Sequence, residues 1–248
     1  MKKDYKISII TVVKNSVSTI EKCIESVIKQ NYNNIEYIII DSNSDDGTSE
    51  VISNFKNKIK YIREKDESLW DAMNKGLKIA SGDIVGFLNA DDFYYENSLK
   101  IVNEYFNNKE IDFLFGGVKK YKLMSVFNPK IIKYSFGFYT SHSVGFFIKR
   151  KLHLKVGLYN KKYLSADLDF FYKMIVNFKL KGCGTDKNEI LGEFSKGGFS
   201  SKINYLDHLK DLNQIRIDNN QGKIFVYFLF LIKILKKPLK FLKALLKK

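Results

Sequence analysis

The chain is poor in the residues that staple or stiffen small folds: its 248 positions hold two cysteines, two prolines, one tryptophan and three histidines. Cys23 and Cys183 form no CxxC pair and do not cluster with His142, His153 or His208. Neither a disulfide scaffold nor a structural zinc site is therefore expected. No apolar run approaches the roughly twenty residues of a spanning helix; the run from Ile224 to Ile232 stops after nine, at Lys233. The start, Met-Lys-Lys-Asp-Tyr-Lys, leads straight into a strand pattern without the apolar core and cleavage site of a signal peptide, so a reducing, cytoplasmic setting is expected.

What the chain does have is apolar residues, 45%, and a formal net charge of +15. The first is ample for a real core. The second would ordinarily raise nucleic-acid binding, but residues 223–248 alone carry eight lysines and no acid. Half the excess thus sits in a tail, and no arginine-rich run or nucleic-acid module accompanies it, so no nucleic-acid partner is expected.

Ile7 to Val13 is dense in β-branched residues and predicts a buried strand. A turn at Lys14, Asn15 and Ser16 precedes a helix over 17–30, with Ser18 as its N-cap and Glu21 three positions on. A strand from Ile35 to Ile40 ends at Asp41, and a polar loop through Asp45, Asp46 and Gly47 opens a helix at 48–55. A strand at 60–63, a helix at 69–80 and a strand at 83–88 follow. This strict alternation predicts a doubly wound, mostly parallel α/β sheet, with the loops after Val13, Ile40 and Leu88 along one edge. Beyond it the pattern gives a helix at 95–107, strands near 111–122 and 144–149, a helix at 167–179 and a glycine-rich loop at 196–201.

The strand at 83–88 runs into Asn89, Ala90, Asp91 and Asp92. Oxygen ligands at the carboxyl end of such a strand suit a divalent ion held against a diphosphate. The same residues would also serve as a turn and a helix N-cap.

Taken together, Ile7 to Asn15, Asp41 to Thr48, Trp70 to Gly76, Ser81-Gly82-Asp83, Phe87 to Asp92, His142, Phe146 to Arg150, Ser165 to Phe170 and Gly197 to Ser200 resemble, in order and spacing, family 2 glycosyltransferases of the GT-A fold. The likeness is closest to enzymes that build bacterial surface polysaccharides and covers roughly residues 5–201. It implies a nucleotide-sugar half at 1–110, an acceptor half at 111–215 and a separate basic tail at 216–248. It also implies that Thr11, Val13, Asn15 and Asp41 hold the nucleoside of a nucleotide-diphosphate sugar, with Asn74 and Lys75 nearby, Lys75 being suited to a phosphate. Asn89, Ala90 and Asp91 match the Asp-X-Asp signature that anchors Mn²⁺ or Mg²⁺, Asp91 being the metal ligand; Asn89 stands where an Asp is usual. Asp167 matches the general base of an inverting transfer, although Ala166 replaces the Glu that usually precedes it. Trp70, Asp92, His142 and Asp169 are secondary candidates: Trp70 as a sugar platform or core residue, Asp92 as a second ligand or N-cap, His142 on the acceptor side, and Asp169 as a helix-start carboxylate. The expected activity is transfer of a sugar to a hydroxyl of a growing, lipid-linked glycan. The alternative is a non-catalytic nucleotide-sugar-binding subunit.

In the tail, Leu235, Leu239, Leu242 and Leu246 follow one helical line and Lys236, Lys240, Lys243 and Lys247 the neighbouring one, with Pro238 dividing the helix. Such a segment suits the plane of an anionic membrane, placing the protein on the inner face of the cell membrane. Packing on the domain or on a partner is the alternative.

Overall fold

A computed structural model describes residues 2–120, 123–124, 127, 142–195 and 203–246. Seven strands form the central sheet. β1 (Ile7–Val13), β2 (Ile35–Asp41), β3 (Lys60–Arg63) and β4 (Ile84–Asn89) are parallel, with β1 between β2 and β4. Next to β4 lies β9 (Phe146–Lys149), the one antiparallel member, and beyond it β6 (Phe113–Phe115) and β10 (Gly182–Gly184). The resulting order is β3-β2-β1-β4-β9-β6-β10. A smaller sheet packs beside it in the order β5 (Phe93–Tyr94), β11 (Ile190–Glu193), β7 (Gly117–Lys119), β8 (Leu123–Met124).

Strand alternation divides the core into two layers. Ile10 and Val12 of β1, Ile38 and Ile40 of β2, and Val85 and Phe87 of β4 face helix α3 (Leu69–Ile79). Ile7, Ile9 and Val13, with Ile39 and Leu88, face α1 (Ile20–Ile28) and α4 (Ser98–Asn108). Helices cover both faces, as buried parallel strands require. In α3, Gly76 is needed for close approach: a Cβ there would lie 2.4 Å from Ile10 Cγ2. The N-terminus of α3 is capped by Ser68, whose Oγ accepts from the Asp71 N–H at 3.2 Å.

Several expectations need correction. The first helix starts at Ile20, not 17, and Ser18 does not cap it; the N–H groups of Thr19 and Ile20 turn onto the Ser16 carbonyl instead. The stretch near 111–122 is not one strand, because β6 and β7 belong to different sheets and the chain crosses between them at Gly116. Helix α6 (Ala166–Tyr172) widens into a π-helical turn at Lys173–Asn177. The glycine-rich loop at 196–201 and the tail residues Lys247 and Lys248 lie outside the described residues.

The C-terminal region is helical. After α2 (Thr48–Ser53) and α5 (Arg150–Val156) in the main domain, α7 (Tyr205–Asp218) inserts Leu212 and Ile215 into the α3-side core. Both tail helices, α8 (Lys223–Lys236) and α9 (Pro238–Leu245), pack on α7. No described helix is long and apolar enough to cross a membrane.

Candidate active site

Strand order reverses at β1, whose two neighbours are β2 and β4. In an open α/β sheet that reversal leaves a crevice at the carboxyl ends of the strands. The residues converging there are Asn15 after β1, Asp41 at the end of β2, and Asn89 to Asp92 after β4.

Asn89 is fixed by its amide nitrogen, which donates to Ser143 Oγ at 3.1 Å and Asp92 Oδ2 at 3.2 Å. Its carbonyl oxygen Oδ1 is buried and has no hydrogen-bond partner among the described residues. A buried acceptor left in this state carries a desolvation cost that a ligand would relieve. Asp91 is half-buried, and no hydrogen bond or ion pair from another side chain reaches its carboxylate among the described residues; burial raises its pKa. Asp92 is 1% exposed and accepts the Ser195 N–H at 3.0 Å. Burial, then the Asp91 charge, pushes its carboxyl up to about 8.

His142 stands beside this group, its Nδ1 3.9 Å from Asp92 Oδ2 and 2.9 Å from Ser143 Oγ. Burial, with the Lys120 charge, pulls the imidazole down to about 3. At neutral pH the imidazole is uncharged, so the contact is not an ion pair. The His142 ring packs on Phe194, 3.8 Å between centroids, and Lys120 Nζ lies 3.9 Å from the centroid of the same Phe194 ring.

Asp167 sits half-buried in the first turn of α6, its Oδ1 accepting from the Leu168 N–H at 3.0 Å. Its loop is tied to the same edge of the sheet, because the Trp70 indole at the start of α3 donates to the Leu164 carbonyl at 3.3 Å. The other support is α7: Asp211 accepts the N–H groups of Leu164 and Ser165 at 3.0 and 2.8 Å.

The oxygen set at Asn89 and Asp91 suits a hard cation held mainly by a diphosphate. It is not a complete protein cage, since no group of three or more His, Cys, Asp or Glu able to hold a metal occurs among the described residues. The profile described as Glycosyl transferase family 2 matches residues 8–174, over half the chain. The chain belongs to glycosyl transferase family 2. Among family relatives, it is 35% identical over 115 residues to the Escherichia coli UDP-Glc:alpha-D-GlcNAc-diphosphoundecaprenol beta-1,3-glucosyltransferase WfgD, a match covering 46% of each chain. It is 35% identical over 109 residues to glycosyltransferase GlyA of Streptococcus pneumoniae, covering 41% of this chain and 16% of that one. The chain therefore spans less than half the length of these curated relatives. In fold it resembles S. aureus TarS 1-349 in complex with UDP-GlcNAc, with a TM-score of 0.69, 17% identity, and coverage of 91% of this chain and 70% of that one. It also resembles the mannosyltransferase PcManGT from Pyrobaculum calidifontis in complex with GDP-Man and Mn²⁺, at TM-score 0.66, 16% identity, and coverage of 90% and 68%.

Against the family pattern, several expected site residues prove committed to the architecture. The Thr11 hydroxyl is fully buried against Tyr37 OH at 3.1 Å, and Val13 and Ala90 are core residues. Asn74 clamps the Tyr159 backbone, donating to its carbonyl and accepting from its N–H, each at 2.9 Å. Lys75 is held by Asp66 at 2.7 Å, Glu64 at 3.0 Å and Asp71 at 3.7 Å, so it is no free phosphate ligand. Trp70 is 7% exposed and packs on Tyr159, which places it in the core rather than on a sugar face. Asp169 is likewise structural, bonded to Asn219 Nδ2 and Lys173 Nζ, both at 2.7 Å. Asp92 is not the N-cap of α4; Asn97 holds that position.

Asp41 is the most informative of these. It is fully buried, its Oδ1 accepting from Ser44 N–H and Oγ at 2.9 and 2.6 Å and its Oδ2 from Tyr61 OH at 2.7 Å. Its carboxylate thus braces the loop, while Asn15, in the left-handed region at φ 50°, is exposed beside it. The Asn15 N–H donates to Ser44 Oγ at 2.9 Å, and its Oδ1 accepts from Asp45 at 3.1 Å. Sequence reasoning missed Ser143, Phe194, Ser195 and Lys120. Only Ser143 left a trace, as the residue after His142; the others lie 28 or more positions from Asp92 and join it only through folding.

Proposed function

We propose that this family 2 chain is an inverting glycosyltransferase that moves one sugar from a nucleotide-diphosphate donor to a hydroxyl of a growing, lipid-linked surface glycan. The observation that supports the reading is the buried Asn89 Oδ1, unsatisfied among the described residues, beside the Asp91 carboxylate at the crevice. Asp91, with Asn89 Oδ1, would hold Mn²⁺ or Mg²⁺. Such an ion supplies Lewis-acid neutralisation of the charge that gathers on the leaving diphosphate. The brace at Asp41 shapes the loop that presents Asn15 and neighbouring main chain to the nucleoside.

Asp167 is assigned as general base. It takes the proton of the acceptor hydroxyl as the acceptor oxygen bonds to the anomeric carbon and the bond from that carbon to the diphosphate oxygen breaks on the opposite face. The products are an inverted glycoside and a nucleoside diphosphate. An acceptor on a lipid carrier is supported by the WfgD name, which specifies a diphosphoundecaprenol substrate, and would put the protein at the inner face of the cell membrane.

The test is sugar transfer from UDP-, GDP- and dTDP-sugars with Mn²⁺, comparing the parent with Asp91→Asn. Loss of turnover on substitution is expected. Full activity of Asp91→Asn would overturn the metal assignment, and absence of transfer from every donor that binds would return the chain to a binding role.

A further inference from the structure

The tail is built with its apolar side outward. Along α8, Ile224, Phe228, Leu231 and Leu235 follow one another at helical spacing and are 89%, 57%, 58% and 77% exposed. The opposite side packs on α7 through Val226 and Leu229, at 0% and 5% exposure. Lys233 lies on that inward side, and its carbonyl accepts from Tyr205 OH of α7 at 3.2 Å. Helix α9 repeats the arrangement, with Ala244 turned inward at 5% and Leu239, Leu242 and the C-cap Leu246 turned outward at 74%, 54% and 86%. Elsewhere among the described residues, no large apolar side chain exceeds 42% exposure.

A helix that folds against its own domain normally does the reverse. Here the docked face is small and the displayed face is large, so packing on the domain and offering an apolar surface are not alternatives but two sides of the same helices. We propose that the outward faces of α8 and α9 together form a docking surface for a bilayer carrying anionic headgroups, on which both helices lie in plane.

Charge selects this occupant. Lys223, Lys236, Lys237, Lys240 and Lys243 border the stripe, and the sequence has no Asp or Glu after Asp218. A second copy of the chain would set lysines against lysines, whereas anionic lipid balances them. Spanning is excluded for these helices by length and charge. The surface also bears on the site above, and this part deepens the proposed function and rests on it. Helix α7, which carries both tail helices, holds the Asp167 loop through Asp211 and holds α6 through the Asn219–Asp169 bond. The acceptor-activating side of the crevice is thus mounted on the membrane-docking element.

Flotation of the full chain tests the proposal with phosphatidylcholine vesicles and with vesicles half phosphatidylglycerol. Binding to the anionic vesicles only is expected, with loss at high salt. The Phe228→Glu/Leu235→Glu variant should stop floating with its thermal unfolding unchanged. A Lys236, Lys237, Lys240 and Lys243 to Gln variant should bind anionic vesicles roughly a hundredfold more weakly or worse. Flotation of the double-Glu variant like the parent, or no flotation of the parent, would overturn the proposal. So would a soluble dimer that the Glu variant dissociates, which would assign the stripe to self-association. Flotation needs no turnover, so docking without transfer would sink the proposed activity and leave this surface standing.

Discussion

Asp167 and Asp169 stand two residues apart at the start of one helix, and replacing each with Asn should produce opposite phenotypes. Asp169 is 2% exposed, with one oxygen on Asn219 Nδ2 and the other on Lys173 Nζ, both at 2.7 Å. In Asp169→Asn, one amide oxygen still accepts from Asn219, but the new NH₂ faces the Lys173 ammonium, donor against donor. Two charge-assisted contacts are weakened or lost and the partly exposed Lys173 ammonium loses its buried carboxylate partner, a cost of about 2–3 kcal/mol. For a chain of this size that lowers Tm by roughly 4–12 °C. Asp167 is half-buried and not part of that clamp. Asp167→Asn should leave Tm nearly unchanged and lower kcat by about 10²–10⁴, the range for loss of a general base. Thermal unfolding followed by circular dichroism, together with donor binding and turnover, reads both. An unchanged Tm for Asp169→Asn, or equal loss of stability in both variants, would refute the division of labour.

Three further outcomes are expected. Asn89→Asp adds a carboxylate beside Asp91 and Asp92 and should bind Mn²⁺ on the order of tenfold more tightly while lowering stability without metal; a Mn²⁺-induced Tm shift no larger than the parent's would contradict it. Burial, then the charges of Arg216 and Lys237, pulls Lys233 from 10.5 to about 7. Between those values the unfolded chain binds the extra proton, so stability should rise with pH from about 7 to about 10.5. Lys233→Met should flatten that rise and stabilise the protein most below about pH 7; Tm measured across that range checks it, and parallel curves would refute it. Gly86→Ala places a Cβ 2.5 Å from Phe147 Cε1 across the β4–β9 pair. It should cost about 1–3 kcal/mol by urea unfolding, and a neutral result would mean that Phe147 can move freely.

The first ninety residues were readable because β1, β2 and β4 are largely buried and each loop is short, so β-branched runs and helical spacing carried the order directly, with the exposed edge strand β3 following from the alternation. Composition could not place the second half in the same way. β6 and β7 read as one strand, yet they part at Gly116 because neighbouring residues serve different sheets. The Asn89–Asp91 corner was legible from its position after β4, but the reason Asp92 is spent was not, since its partner Ser195 is 103 residues away. Asp41 looked like a ligand for a similar reason: Ser44 satisfies one oxygen locally, but Tyr61 reaches the other only once β2 and β3 are paired. In the tail, sequence gave the stripe of leucines but not its direction, which is set by α7.

β9 joins β4 to β6 by antiparallel pairing on both sides, so the main sheet continues through the boundary at residue 110. The segments on either side of residue 110 are consequently not interchangeable parts. A chimera cut there would remove three of seven strands and leave β4 with a bare, apolar edge. New acceptor specificity in this chain is more readily built by exchanging loops above a constant sheet than by swapping halves, and lineages that diversify it are expected to vary in loop sequence while the β4–β9–β6 seam keeps its register.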